Sequence, residues 1–109
     1  MAMATAEFNQ STPVEIVSGS SGKLIRVKRW LMSSVNARFI KLQSAFAGEG
    51  PFTDITAPVL CGPENTIDLV FDRRYAFTTE LSAGLWCVDP YVSIPTDRCW
   101  LQIWYDLVS

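Results

Sequence analysis

The closing segment of the chain, from Cys99 to Val108, alternates between two kinds of side chain with a period of two. Successive side chains of a β-strand point to opposite faces of the sheet, so this period predicts a strand. One face carries Cys99, Leu101, Ile103, Tyr105 and Leu107, and the other carries Trp100, Gln102, Trp104, Asp106 and Val108. Thr66 to Phe71 alternates in the same way, which predicts a second strand with one face in a core.

Short strand-prone runs and turn-forming residues fill the rest of the chain. The runs are 14–17, 23–32, 37–42, 55–60, 85–88 and 91–94, and the turns include SGSSG at 18–22 and CGPEN at 61–65. A helix over 23–43 competes with two strands there, but the serine pair and Asn36 at its centre disfavour it. Strands at this spacing predict an all-β fold, an antiparallel jelly-roll-like β-sandwich of about eight short strands. Residues 14–109 form the sandwich, and residues 1–13 form an N-terminal arm outside it.

The composition is that of one globular domain, because 49% of the 109 residues are hydrophobic and 18% are charged. The formal net charge of −2 has the wrong sign for binding a phosphate backbone, so no nucleic-acid partner is expected. The N-terminus lacks the basic and apolar regions of a signal peptide. A membrane helix would need a run of about 18 apolar residues, which the chain does not contain. We therefore expect a protein that is made in the cytoplasm and has no membrane partner.

The sequence does not contain the residues of the common catalytic or metal sites. It has no histidine, which excludes Ser-His-Asp and Cys-His nucleophiles, and SGSSGK lacks the spacing of a phosphate-binding loop. Asp68 and Asp72 would lie about 13 Å apart on one strand, too far apart for glycoside hydrolysis. Three cysteines, Cys61, Cys87 and Cys99, without a C-x-x-C pair indicate buried thiols. We expect a non-enzyme without metal or cofactor.

Two tryptophans on the outer face of the last strand are the first candidates for a binding site. Trp100 and Trp104 are separated by an even number of residues, so both rings project from the same side. A loop such as 45–54 could cover them, they could form a subunit interface, or they could stack on sugars. We assign Trp100 and Trp104, together with Trp30, to a subunit interface.

Basic residues on two neighbouring strands are the second set of candidates. Arg26 and Lys28 lie on the strand over 23–32, and Arg38 and Lys41 lie on the strand after it. One interpretation is a solvated edge that prevents aggregation, and the other is a patch that contacts an acidic partner. We assign these four residues, with Phe8 as an anchor in the arm, to partner contact.

The order of these segments resembles a family of small virion proteins of tailed phages. The resemblance spans about residues 14–109 and rests on short motifs: Gly22–Val27, Thr56–Cys61, Ile67–Phe71, Gly84–Trp86 and Tyr105. It implies a jelly-roll-like sandwich that trimerises and decorates the head, as decoration (cement) proteins do over junctions of the major capsid protein. The long aromatic last strand and the charge at Arg73 and Arg74 depart from the family pattern. A head-fibre protein, a tail or baseplate adaptor and a carbohydrate-binding module remain alternatives.

Overall fold

A computed structural model describes residues 1–8, 13–34, 38–46, 50–62, 66–71, 77–91 and 99–109. Within these ranges all regular structure is β-strand. The strands are β1 (Ala2–Phe8), β2 (Val14–Val17), β3 (Leu24–Ser34), β4 (Arg38–Ala45), β5 (Thr53–Asp54), β6 (Val59–Cys61), β7 (Thr66–Val70), β8 (Phe77–Thr78), β9 (Gly84–Val88) and β10 (Cys99–Val108).

The strands form two antiparallel sheets that pack as a sandwich. Sheet I has the order β1-β10-β3-β7, with β8 also pairing with β3, and sheet II has the order β2-β9-β4-β5, with β6 also pairing with β4. The pairs are nested: β1 with β10, β2 with β9, β3 with β7 and β8, and β4 with β5 and β6. This nesting is that of one long hairpin rolled up into two sheets, which is the jelly-roll arrangement. The predicted fold class is confirmed.

The core lies between the two sheets and is built from the inward residues of the central strands. In sheet I, most of the buried core residues come from β3 and β10. In sheet II, most of them come from β4 and β9. The buried cluster consists of Ile25, Val27, Trp30, Met32, Ile40, Leu42, Cys61, Leu85, Cys87, Cys99, Leu101 and Ile103. The predicted alternation in β7 and in the first half of β10 is therefore confirmed.

A β-bulge in β3 interrupts its alternation. Trp104 pairs with Arg29 and Tyr105 pairs with Val27, so Lys28 is the extra residue of the bulge. Its carbonyl accepts a hydrogen bond from Phe71 N–H at 2.9 Å. One inserted residue shifts the alternation, so that odd-numbered residues face inward before the bulge and even-numbered residues face inward after it. The buried residues are Ile25 and Val27 before the bulge, and Trp30, Met32 and Ser34 after it.

The N-terminus forms a strand of the sandwich, which corrects the predicted arm. Residues 2–8 pair along their whole length with β10, from Ala2 opposite Tyr105 to Phe8 opposite Cys99. Ala4 and Ala6 face inward and are half-buried. Seven residues of regular backbone pairing place this segment at the edge of sheet I, although alanine, its most frequent residue, is uncommon in strands.

Two other segments differ from the prediction. The run over 55–60 is not one strand: β5 ends before it and β6 begins at Val59, just after Pro58, which has no N–H to donate to a ladder. Tyr91 lies in a turn, and the rest of the predicted strand over 91–94 falls outside the described residues. A turn at Leu81 and Ser82 precedes β9, with Ser82 at a positive φ of 67°.

Candidate functional site

The outer face of sheet I is the most extensive candidate surface. Directly opposed residues of antiparallel strands point to the same face, so the registers of β1, β10, β3 and β7 define three rows. We call this surface the tryptophan face. Its rows are Glu7, Trp100, Ser33 and Thr66; Thr5, Gln102, Leu31 and Asp68; and Met3, Trp104, Arg29 and Val70.

Trp104 is held in place by charged neighbours. The guanidinium of Arg29 lies 4.6 Å from the centroid of the Trp104 ring, a cation–π geometry. The same guanidinium donates two hydrogen bonds to Asp68, at 2.9 and 2.7 Å. These hydrogen bonds and the opposite charge lower the pKa of the Asp68 carboxyl and raise the pKa of Arg29. Both groups therefore stay charged, and the guanidinium contacts the carboxylate and the ring at once.

Trp100 lies at the other end of the tryptophan face, beside a groove. Its side chain is 45% exposed, and the adjacent groove has a volume of about 440 Å³. The lining of the groove is mostly apolar, with Leu31 beside the indole ring, and it includes five polar residues: Thr5, Glu7, Ser33, Thr66 and Gln102. A flat apolar ring among short hydroxyl, amide and carboxylate groups forms an amphipathic surface.

Apolar side chains flank the Arg29–Asp68 pair on both sides. Met3 on β1 is 51% exposed, and Val70 on β7 is 74% exposed. With the two tryptophans they form an apolar surface on both sides of a single ion pair. Such a surface is typical of a protein interface, where aromatic anchors surround a few oriented polar groups.

Trp30 does not belong to this face, which corrects its assignment to a subunit interface. Its side chain is fully buried in the core, opposite Ile103 on β10 and Leu69 on β7. A regular alternation along β3 would place Trp30 on the outer face, together with Arg26. The bulge at Lys28 shifts the alternation by one residue, so the Trp30 side chain points inward. A residue buried between the sheets cannot contact a second subunit.

Arg38 is also buried, which corrects its assignment to a basic patch. Its side chain is 2% exposed, and its Nε donates a hydrogen bond of 2.8 Å to Oδ2 of Asp89, which is fully buried. Oδ1 of Asp89 accepts a further hydrogen bond from Tyr91 N–H at 2.9 Å. Arg38 faces inward because it alternates with Ile40 and Leu42, the inward residues of β4.

The other predicted basic residues do not assemble into one patch. Lys41 lies on sheet II and pairs with Asp54 at 3.0 Å. Hydrogen bonds from Gln43 and Lys41 lower the pKa of that carboxyl. Arg26 and Lys28 lie on β3 of sheet I, both half-buried, and form no ion pair among the described residues. Their assignment to partner contact stays a prediction, as does that of Phe8, whose side chain is not among those described.

The segment proposed as a cover for the tryptophans lies on the opposite sheet. Phe52 packs edge-to-face on Trp86 of β9, with ring centroids 5.4 Å apart. Residues 47–49 of this segment are outside the described residues. Trp86 is thereby shielded on the outer face of sheet II, whereas Trp100 keeps its exposure.

A second apolar surface, which the sequence reasoning missed, lies on sheet II. Phe39 of β4 is directly opposed to Leu60 of β6, and its ring packs edge-to-face on Tyr91 at 5.3 Å. Tyr91 is 69% exposed. We call these three residues the aromatic patch. The signal in the sequence was Phe39 itself, which occupies an outward position between the inward residues Arg38 and Ile40.

The three cysteines are buried thiols near one another and near the Arg38–Asp89 pair. The Cys61 and Cys99 side chains share a hydrogen bond, and burial raises the pKa of both thiols, that of Cys99 to about 12. Burial raises the pKa of Cys87 as well. Among the described residues, no group of three or more histidine, cysteine or acidic side chains is arranged to hold a metal ion.

Sequence comparison adds no family to this picture. The chain matches no protein-family model, and no curated protein is similar to it. Within the part of the chain that the structure describes, no helix has the length and apolar character needed to cross a bilayer.

Proposed function

We propose that the protein is a structural component of a tailed-phage virion, a decoration (cement) protein that trimerises and binds the head shell. The observation that carries this proposal is the tryptophan face, with Trp100, Met3 and Val70 exposed on one side of a jelly roll. The resemblance to phage decoration proteins gives this face its context. The virion is accordingly the expected location, and the major capsid protein is the expected partner.

The chemistry of the tryptophan face suits contact between subunits. Tryptophan and arginine are the residues that most often dominate binding energy at protein interfaces. Here Trp104 and Arg29 are already oriented by the contact with Asp68, so little conformational freedom is lost on association. A trimer joined through this face would present three copies of every remaining surface to a shell, and multivalent attachment strengthens weak contacts.

The aromatic patch on sheet II is the surface we assign to the shell. Phe39, Leu60 and Tyr91 lie on the sheet opposite the tryptophan face, so one face can bind other subunits while the other remains accessible. This assignment replaces Arg38 and Lys41, of which one is buried and the other is paired with Asp54. Arg26 and Lys28 lie on the sheet of the tryptophan face, and their assignment to partner contact stays a prediction.

Trimerisation is tested by measuring molar mass with size-exclusion chromatography and light scattering. We expect a mass near three times 12.2 kDa for the wild type. Trp100→Ala combined with Trp104→Ala should give a folded monomer, because both changes are on the outer face. Phe39→Ala, an aromatic truncation on the opposite sheet, is the matched control and should leave the mass unchanged. A wild-type monomer, or a double variant that keeps the wild-type mass, would contradict the interface.

Shell binding is tested by co-sedimentation with purified expanded heads of the phage that encodes the chain. We expect saturable binding by the wild type and weaker binding by Tyr91→Ala, with Leu81→Ala, at an exposed turn position outside both surfaces, as the control. Binding to a purified tail or baseplate protein, without binding to heads, would identify the adaptor alternative instead.

Carbohydrate binding is the second candidate, and the groove beside Trp100 favours it. A pyranose ring presents an apolar face that stacks on an indole ring and hydroxyl groups that bond to side chains such as Gln102 and Ser33. A glycan array probed with a monomeric protein distinguishes this function from decoration. Binding that Trp100→Ala abolishes and Trp104→Ala retains would support it, and an array without any bound glycan would refute it.

A further inference from the structure

The outer edge of β7 is a free sheet edge. Within the described part of the chain β7 pairs with β3 alone, so no described strand lies on its other side. Phe71 N–H donates a hydrogen bond to the Lys28 carbonyl on β3. Residues two apart in a strand direct their N–H and C=O groups to the same side, so those of Ile67 and Leu69 also point to β3. The residues that direct these groups away from the sheet are Thr66, Asp68 and Val70.

This edge has none of the features that usually prevent a strand from pairing with another chain. Edge strands are commonly protected by a bulge, a proline, a lysine or a very short length. In sheet II, the register of β2 is irregular, β5 has two residues, and β6 has three and follows Pro58. By contrast, β7 pairs over five residues in a regular register. Its one charged side chain, Asp68, is bonded to Arg29, so the edge remains open to a further strand.

An apolar cavity opens between the two sheets beside this edge. Its volume is about 230 Å³, and Leu69 of β7 is part of its lining. Phe71 and Phe77 line it on the same side, with their rings packed edge-to-face 4.8 Å apart. The described lining is apolar apart from Thr56, whose Oγ1 already accepts a hydrogen bond from Leu42 N–H. A cavity of about 150 Å³ holds one benzene molecule, so this one has room for a large apolar side chain.

We propose that β7 pairs with an extended segment of another protein, which adds an antiparallel strand to sheet I and inserts a large apolar side chain into the cavity. The unpaired backbone groups of the edge specify an extended partner, and the cavity specifies one of its side chains. In the added strand, residues opposite Ile67 and Leu69 point into the gap between the sheets, and a residue opposite Asp68 points outward. The recognised segment therefore alternates, with phenylalanine, leucine or methionine at an inward position. This site uses the backbone of β7 and the gap between the sheets, so it is independent of the virion role.

The probe is a short synthetic peptide in which threonine and valine alternate around one central phenylalanine, with a lysine at each end. Fluorescence anisotropy of the labelled peptide measures its affinity, and amide hydrogen exchange followed by NMR locates its binding site. We expect saturable binding that slows exchange at Thr66, Asp68 and Val70, the amides that point away from β3. A peptide with alanine in place of the phenylalanine should bind about tenfold more weakly, because it leaves the cavity empty.

Two N-methylated peptides separate strand addition from simple hydrophobic contact. In an added antiparallel strand the threonine N–H groups point to β7, and the phenylalanine N–H points away from it. Methylating the two threonine nitrogens that flank the phenylalanine should therefore abolish binding. Methylating the phenylalanine nitrogen keeps every bond to β7 and should leave the affinity within about twofold.

Two variants of the protein test the edge and the cavity separately. Val70→Pro removes an outward N–H and no bond to β3, a change that edge strands tolerate, and should weaken binding about fivefold. Val70→Ala keeps the N–H and is the matched control. Ala57→Phe places a ring at an exposed position of the cavity lining and should remove the preference for phenylalanine over alanine. Ser21→Phe, at an exposed turn position, should retain that preference.

Three results would overturn strand addition at β7. They are no saturable binding of the peptide, equal affinity for the phenylalanine and alanine peptides, and equal affinity for the two methylated peptides. Slower exchange in β1, and not in β7, would place the peptide at the other edge of sheet I and would also contradict the site. Exchange in β7 that slows with protein concentration alone would show that a second copy of the chain occupies the edge, against a different protein as partner. None of these results depends on the molar mass or on head binding, so this proposal and the decoration role can fail separately.

Discussion

Replacing Asp89 with alanine is expected to destabilise the fold by about 3–5 kcal/mol. Both members of the Arg38–Asp89 pair are buried, at 2% and 0% exposure, with Nε and Oδ2 2.8 Å apart. Removing the carboxylate leaves the guanidinium in the interior without this counter-charge and also removes the acceptor of Tyr91 N–H. Domains of this size are stable by only about 5–15 kcal/mol, so the loss is a large part of the total.

Two comparison variants separate the buried charge from simple loss of contacts. Arg38→Met combined with Asp89→Leu removes both charges and should recover most of the lost stability, since apolar pairs of similar volume replace buried ion pairs at little cost. Lys41 lies on β4, as Arg38 does, and Lys41→Met breaks its more exposed pair with Asp54 of β5, which should cost about 1 kcal/mol or less.

Urea unfolding at neutral pH, followed by tryptophan fluorescence, gives the free energies for all four proteins. We expect stability to fall in the order wild type, Lys41→Met, double variant and, least stable by a wide margin, Asp89→Ala. An Asp89→Ala stability within about 1 kcal/mol of the wild type would refute a buried-charge cost. A double variant less stable than Asp89→Ala would refute it too, because the cost would then come from packing and not from an unpaired charge.

We expect three further outcomes, two for variants and one for thiol labelling of the wild type. Gly19→Ala should lower the urea midpoint more than Gly22→Ala, because its Cβ would lie 2.3 Å from a carbonyl oxygen, whereas at Gly22 the cost is only that of a φ of +73°. Deleting Lys28 should cost about 1–3 kcal/mol and keep the β-sheet circular dichroism, whereas deleting Leu31 should unfold the chain by moving core residues outward. With a pKa near 12 for Cys99, thiol labelling at pH 8 should require unfolding in urea, and rapid labelling of the folded protein would contradict the burial.

Local pattern was sufficient to predict much of the fold. The bounds of β10 match the alternating segment from Cys99 to Val108, and β7 matches the alternation that begins at Thr66. In both strands one face packs in the core, and the period of two is then visible in the sequence. The same pattern correctly placed Trp100 and Trp104 together on the outer face, because β10 itself has no inserted residue.

Long-range pairing explains most of what the sequence did not reveal. Arg38 was assigned to the surface because arginine is seldom buried, and its partner Asp89 lies 51 residues away in the chain. The alternation of Arg38 with Ile40 and Leu42 did indicate an inward position. The N-terminal strand carries only a weak signal, an alternation of alanines with Met3, Thr5 and Glu7, and its place depends on pairing with the far end of the chain.

The bulge at Lys28 connects the core and the tryptophan face. If the same residues formed a regular strand without a bulge, Ile25 and Val27 could not share the inner face with Trp30 and Met32, and one pair would have to face solvent. With the bulge, Trp30 turns inward into the core, and Arg29 turns outward to lie over Trp104. No glycine or proline marks the bulge, and its extra residue is a lysine that resembles any exposed strand position. A single backbone irregularity therefore determines which tryptophan can meet a partner and which cannot, and the period of the sequence alone assigns Trp30 to the wrong side.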